Sequence, residues 1–175
     1  MDKIKFNKIN SSHHLKIVYS PIGIIYTPFK EISNMPVQTI AAKGIEGKIV
    51  IFPEYQEGLE DLEGFSHIIL IYHFHKIKGY SLKVKPFLDD EERGLFSTRA
   101  PKRPNPIGIS IVKLKKIEGN VIYIEDVDIL NETPLLDIKP YVPEFDSRKE
   151  KVKIGWLEGK VFRVYSRISD NRFTL

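Results

Sequence analysis

Residues 109–127 read ISIVKLKKIEGNVIYIEDV, and this stretch decides the fold. Ile109, Ile111, Val112 and Leu114 are interleaved with polar or basic neighbours, and Val121 to Glu125 resumes an apolar alternation after Glu118-Gly119-Asn120. Side chains that repeat every second residue mark strands, and Gly119-Asn120 supplies the positive-φ residues that a tight turn needs. The stretch is therefore an antiparallel hairpin. Residues 16–26, 47–52, 67–74, 81–87 and 160–166 have the same length and the same Ile, Val, Tyr and Phe content, and read as further strands. In residues 81–87, Lys83 and Lys85 alternate with Leu82 and Val84, giving a half-buried strand with a basic outer face. Helix is sparse. Residues 53–62 fit one short helix stopped by Gly64, and residues 89–93 a turn or short helix. Many strands with Gly and Pro turns predict an all-β fold, a sandwich or barrel with short helical segments and loops.

The chain has 175 residues with 42% hydrophobic and 29% charged content, enough for one domain with a real core. Residues 1–15 read as an N-terminal extension, 16–148 as the barrel, and 149–175 as a final strand and tail packed on the same domain. The longest apolar run, 68–72, falls far short of the ~20 residues of a membrane helix, and the N-terminus lacks the apolar core of a signal peptide. There is no cysteine, which excludes disulfides, thiolate metal sites and cysteine nucleophiles. A cytoplasmic protein is expected. Net charge is +4, yet residues 76–116 hold eleven Lys and Arg against four Asp and Glu. That contrast predicts a basic face suited to a phosphate-bearing partner, with an ordinary solvated surface as the alternative.

Residues 96–110 read FSTRAPKRPNPIGIS. Pro101, Pro104 and Pro106 fix their own φ and bias the residues before them away from helix, so the segment is a stiff extended strap. It displays Arg99, Lys102, Arg103 and Asn105, polar groups that lose little entropy when a ligand docks. The competing reading is an edge strand guarded by proline and charge. In residues 128–146, DILNETPLLDIKPYVPEFD, the run Asn131-Glu132-Thr133-Pro134 predicts a turn anchored by Leu135, Leu136 and Ile138. Asp128, Asp137 and Lys139 then stand at the edge of an apolar surface, where an aspartate either accepts bonds from a ribose or adenine or satisfies turn amides. On strand 67–74, His67, Ile69, Ile71 and His73 share one face with His75 beyond, and Ile68, Leu70 and Tyr72 share the other. His67 and His73 lie about 20 Å apart on an extended chain, too far for one ion. His73 and His75 have no matched third ligand, so no metal is expected.

Several motifs together resemble the TsaA-like (TrmO) family: Gly23 with Tyr26-Thr27-Pro28, Phe65-Ser66-His67, Phe74-His75, Phe96–Pro101, Arg103-Pro104-Asn105-Pro106-Ile107-Gly108, and Thr133-Pro134 followed by Asp137–Tyr141. The resemblance implies a small antiparallel β-barrel, a homodimer, and S-adenosylmethionine as cofactor near the dimer interface. It implies methylation of N6 of the threonylcarbamoyladenosine beside the anticodon of a tRNA. By motif, the cofactor contacts would be Pro36, Val37, Gln38, His75, Lys76, Arg99, Ile109, Ile129, Leu130, Asn131 and Glu132. The family turn usually carries glycine where this chain has Glu132, a residue that disfavours positive φ, so either the turn differs or the position needs no glycine. Bacterial members often carry an added C-terminal domain, which here would leave tRNA recognition to the basic face.

Methyl transfer from an activated sulfonium needs alignment above all. The target nitrogen is a poor nucleophile while protonated, so a base helps. Asp137, Tyr141 and His75 are candidates in that order, and the residues alone do not choose among them. Arg99 and Arg103 suit a carboxylate or phosphate. On the implied division, Arg99 serves the cofactor, while Lys102, Arg103, Asn105 and Lys139 face the anticodon loop. A non-catalytic S-adenosylmethionine-binding or RNA-binding barrel is the alternative.

Overall fold

The computed structural model describes residues 16–173; the expected extension at 1–15 lies outside them. Six strands close into an antiparallel barrel: β1 (Gly23–Tyr26), β2 (Glu46–Ile51), β3 (His67–His73), β6 (Ile107–Glu118), β7 (Val121–Glu125) and β8 (Thr133–Pro140), in the order β1-β2-β7-β6-β3-β8. The all-β expectation holds. The deciding hairpin is β6–β7, with Gly119 at φ 61° in its turn, while Asn120 stays at negative φ. Inward residues alternate along each strand. Ile68, Leu70 and Tyr72 of β3 pack with Val112 and Leu114 of β6 and Ile122 and Ile124 of β7, while Ile69 and Ile71 face out. Each such buried side chain stabilises the fold by roughly 1.5–3 kcal/mol, so the period-two pattern sets the register.

Five expectations are corrected. Residues 16–26 pair only from Gly23, and the strand read at 81–87 shrinks to β4 (Lys83–Val84), which pairs with β5 (Arg93–Gly94) outside the barrel. Residues 160–166 form a 3₁₀ turn, Val161–Tyr165, rather than a strand. The closed barrel offers no edge to pair with, so these amides bond locally, as Ser166 N–H does to the Arg163 carbonyl at 3.3 Å. The turn read at 131–134 is confined to Asn131 and Glu132, and Thr133 already begins β8. Pro134 pairs with β1 alone, and the β3 ladder begins at Leu135, so its missing N–H costs no bond to β3. The helix read at 53–62 is a 3₁₀ segment, Pro53–Leu59, followed by a second at Leu62–Gly64.

A smaller apolar cluster lies beside the barrel, where Val84, Leu95 and Ala100 bury Phe173 from the chain's last described turn. This packing folds residues 155–173 back over the proline strap. Among the described residues no helix is long and apolar enough to cross a membrane, and no three His, Asp or Glu side chains gather to hold a metal ion.

Candidate functional site

The proline strap leaves the 3₁₀ turn Leu95–Ser97 and enters the barrel at Ile107, the first residue of β6. Pro101, Pro104 and Pro106 precede β6 and lie in no strand, so the strap is not itself an edge strand. Instead the strap forms one wall of a cavity of about 910 Å³. Thr98 Oγ1 donates to the Leu95 carbonyl at 2.8 Å and accepts the Ala100 amide, which fixes the bend. Arg103 donates to the carbonyls of Thr98 and Ala100 at 3.1 and 3.3 Å and lies over the Phe96 ring. Its guanidinium thus stiffens the strap while lining the cavity. Gly108 is needed for space: a Cβ there would run into the Tyr72 ring and come within 2.8 Å of Phe74 Cζ.

A second wall comes from the turn between β7 and β8. The Tyr26-Thr27-Pro28 motif ties it down: Thr27 Oγ1 donates to the Ile129 carbonyl at 2.8 Å, and the Thr27 amide donates to Asn131 Oδ1 at 3.0 Å. Glu132 sits at φ 60°, so the turn keeps the left-handed backbone that suits glycine, at a strain of about 1–2 kcal/mol. The third wall is the loop at Pro36, Val37 and Gln38, where Gln38 Oε1 accepts Arg99 Nη1 at 2.7 Å. The fourth was not legible in any motif. Trp156, Leu157, Val161, Phe162, Val164 and Tyr165 of the C-terminal segment roof the cavity.

Of the candidate cofactor contacts, Pro36, Val37, Gln38, His75, Lys76, Arg99, Ile109, Ile129 and Leu130 line the cavity. Asn131 and Glu132 do not line it and instead shape the turn. Arg103 lines it too, whereas Lys102, Asn105 and Lys139 do not. The three candidate bases separate. His75 is in the wall, its pKa lowered first by burial and then by Lys76, so the ring is neutral near pH 7. Its Nε2 is buried without a hydrogen-bond partner, while Nδ1 lies 3.4 Å from Thr133 Oγ1. Asp137 lies outside the cavity and pairs with Lys139 at 2.8 Å. Tyr141 is also outside, its hydroxyl 3.0 Å from Ser147 Oγ and its ring beside His67.

The sequence pointed to Asp128 but not to the polar chain that it ends, in which Tyr72 and Ser110 are buried. Tyr72 OH lies 3.0 Å from Ser110 Oγ, and Ser110 Oγ donates to Asp128 Oδ1 at 2.7 Å. Tyr72 and Asp128 line the cavity. Burial pushes the Asp128 carboxyl up to about 6, with Ser110 and Arg99 opposing the rise. The basic face is smaller than its count, since Glu125 pairs with Lys113 and Lys115, and Glu118 with Lys116.

A family model for the tRNA-methyltransferase O N-terminal domain matches residues 24–147. The chain belongs to the TrmO family. A Pyrococcus abyssi relative named a probable S-adenosyl-L-methionine-binding protein is 59% identical over 91% of this chain and 86% of its own length. A human relative named tRNA (adenine(37)-N6)-methyltransferase is 39% identical over 75% of the chain, which spans 31% of that protein. The crystal structure of TrmO from Pseudomonas aeruginosa superposes with a TM-score of 0.68 at 35% identity, covering 81% of this chain and 63% of that one. The matched segment ends at 147, so the aromatic roof lies beyond the family domain.

Proposed function

We propose that this chain is an S-adenosylmethionine-dependent methyltransferase acting on N6 of the threonylcarbamoyladenosine beside the anticodon of a tRNA, as a cytoplasmic homodimer. The observation that carries the reading is the convergence of the family's separate motifs on one cavity, with the unpartnered His75 Nε2 in its wall. The cavity falls within the usual range for small-molecule sites. A neutral imidazole nitrogen is an acceptor for an N–H of the cofactor, and Arg99 offers a bidentate cation to a carboxylate. Pro36, Val37, Ile129 and Leu130 supply the apolar surround that keeps water out. When bound, the cofactor supplies a methyl group on a positively charged sulfur, and the chain's own task is to align the target nitrogen and deal with its proton. Arg103, Lys102, Asn105 and Lys139 remain the proposed RNA contacts. Support for two copies comes from the outer face of β6, where Ile107, Ile109 and Ile111 stand exposed in a row.

The test pairs calorimetric titration of S-adenosylmethionine with mass spectrometry of nucleosides from tRNA incubated with protein and cofactor. Saturable binding and a gain of one methyl group on the hypermodified adenosine are expected. Absence of binding removes both the enzyme and the cofactor-binding alternative. Binding without methyl transfer favours the non-catalytic alternative.

A further inference from the structure

Asp128 follows β7, between the buried Val127 and Ile129, and lines the cavity. Three elements meet it. From β6, Ser110, itself buried, gives its one hydroxyl proton to Asp128 Oδ1. From β3, Tyr72 must then be the donor to Ser110, since that oxygen has no second proton to offer. Burial, reinforced by the charge of Asp128, pushes the Tyr72 phenol well above its ordinary range, so it keeps its proton. From the strap, Arg99 is the charged group that favours the ionised carboxylate. The result is a carboxylate held by a fixed donor on a residue that lines the cavity, near to losing or taking a proton at neutral pH. His75 is also in the wall, its Nε2 buried without a hydrogen-bond partner, and is assigned to the cofactor above.

Resting on the function proposed above, we propose that Asp128 is the general base of the methyl transfer, taking the proton from N6 of the target adenosine. The N6–H electron pair becomes available to form the N–CH₃ bond, the CH₃–S pair returns to sulfur as a neutral thioether, and the proton ends on Asp128. Tyr72 and Ser110 position the carboxylate and stabilise its charged form before transfer. A carboxyl that titrates at about 6 is ionised at neutral pH yet more basic than an exposed aspartate, which is what Brønsted behaviour favours.

The experiment measures single-turnover methyl transfer to tRNA from about pH 5 to 9 for the wild type, Asp128→Asn, Ser110→Ala and His75→Gln, with cofactor affinity by calorimetry on each. In the wild type the rate should rise tenfold per pH unit up to about 6 and then level. Asp128→Asn should be slower by about 100- to 10,000-fold with a flat profile, while its cofactor affinity stays within about threefold. Ser110→Ala, losing a bond to the charged form, should move the acid limb to higher pH. Carbon NMR of the cofactor-bound protein should show one carboxyl, absent in Asp128→Asn, titrating near 6. The assignment is overturned by an Asp128→Asn variant within about tenfold of wild type, by an acid limb that vanishes in His75→Gln instead, or by cofactor affinity falling in step with rate. A carboxyl at Asp128 already ionised by about pH 4 also overturns it. A wild type that binds cofactor but methylates no tRNA overturns the tRNA reading and this assignment together, an outcome distinct from the others.

Discussion

At Asp128 a functional arrangement and a stable one pull in opposite directions. Its folded pKa of about 6 lies above the ordinary 3.8. Below 3.8 the carboxyl is protonated whether folded or not and contributes nothing. As pH rises the unfolded chain ionises first, so stability falls between 3.8 and about 6 and stays lower above it. The cost above that window is roughly 1–3 kcal/mol. Asp128→Asn, which keeps an acceptor for Ser110, should therefore melt several degrees higher than wild type at pH 7, and the two should converge near pH 4. Thermal melts at the two pH values decide it. Glu132 is a second strained residue, since it holds a left-handed φ of 60° without glycine's freedom. The sequence alone left open whether the turn kept its shape there. Thr27 and Asn131 answer it, because their bonds across the turn hold the backbone whatever side chain stands at 132.

At the scale of elements, the C-terminal segment is held by a charged clamp. Asp89, 4% exposed, accepts Lys160 Nζ and Arg93 Nη2, each at 2.7 Å. The Lys160 bond, ahead of Arg93, holds the Asp89 carboxyl well below the usual carboxylate range. A depressed folded pKa means the clamp's contribution is present above the ordinary carboxylate pKa and fades as pH falls below about 4. The chain's single tryptophan, Trp156, lies in this segment and donates to the Ser97 carbonyl at 2.8 Å. Asp89→Asn should release the segment without unfolding the barrel. The expected signs are a red-shifted Trp156 emission and faster amide exchange confined to residues 155–173. An unchanged spectrum and exchange pattern would show that Phe173 and its apolar cluster suffice to hold the segment. Residues 160–166 form no strand because Val, Phe and Tyr content alone does not supply a pairing partner.

For the whole molecule, the exposed row Ile107, Ile109 and Ile111 predicts a dimer buried across β6. Light scattering should give twice the chain mass for wild type and a single chain for Ile111→Glu, and a monomeric wild type at micromolar concentration removes the dimer reading. The sequence by itself determined the β class, the inward faces of β3, β6 and β7, and the stiff strap, because side-chain period, turn residues and proline are local constraints. It also carried the motifs that place the chain in its family. Only the tertiary structure decided that these motifs share a cavity, that Asp137 and Tyr141 stand outside it, and that Asp128 joins Tyr72 and Ser110. Those three are separated by 18 and 38 residues, and only closure of the barrel brings their strands into register. The aromatic roof was equally hidden, since residues 155–173 carry little periodicity of their own and are placed by Asp89 and the pocket that takes Phe173.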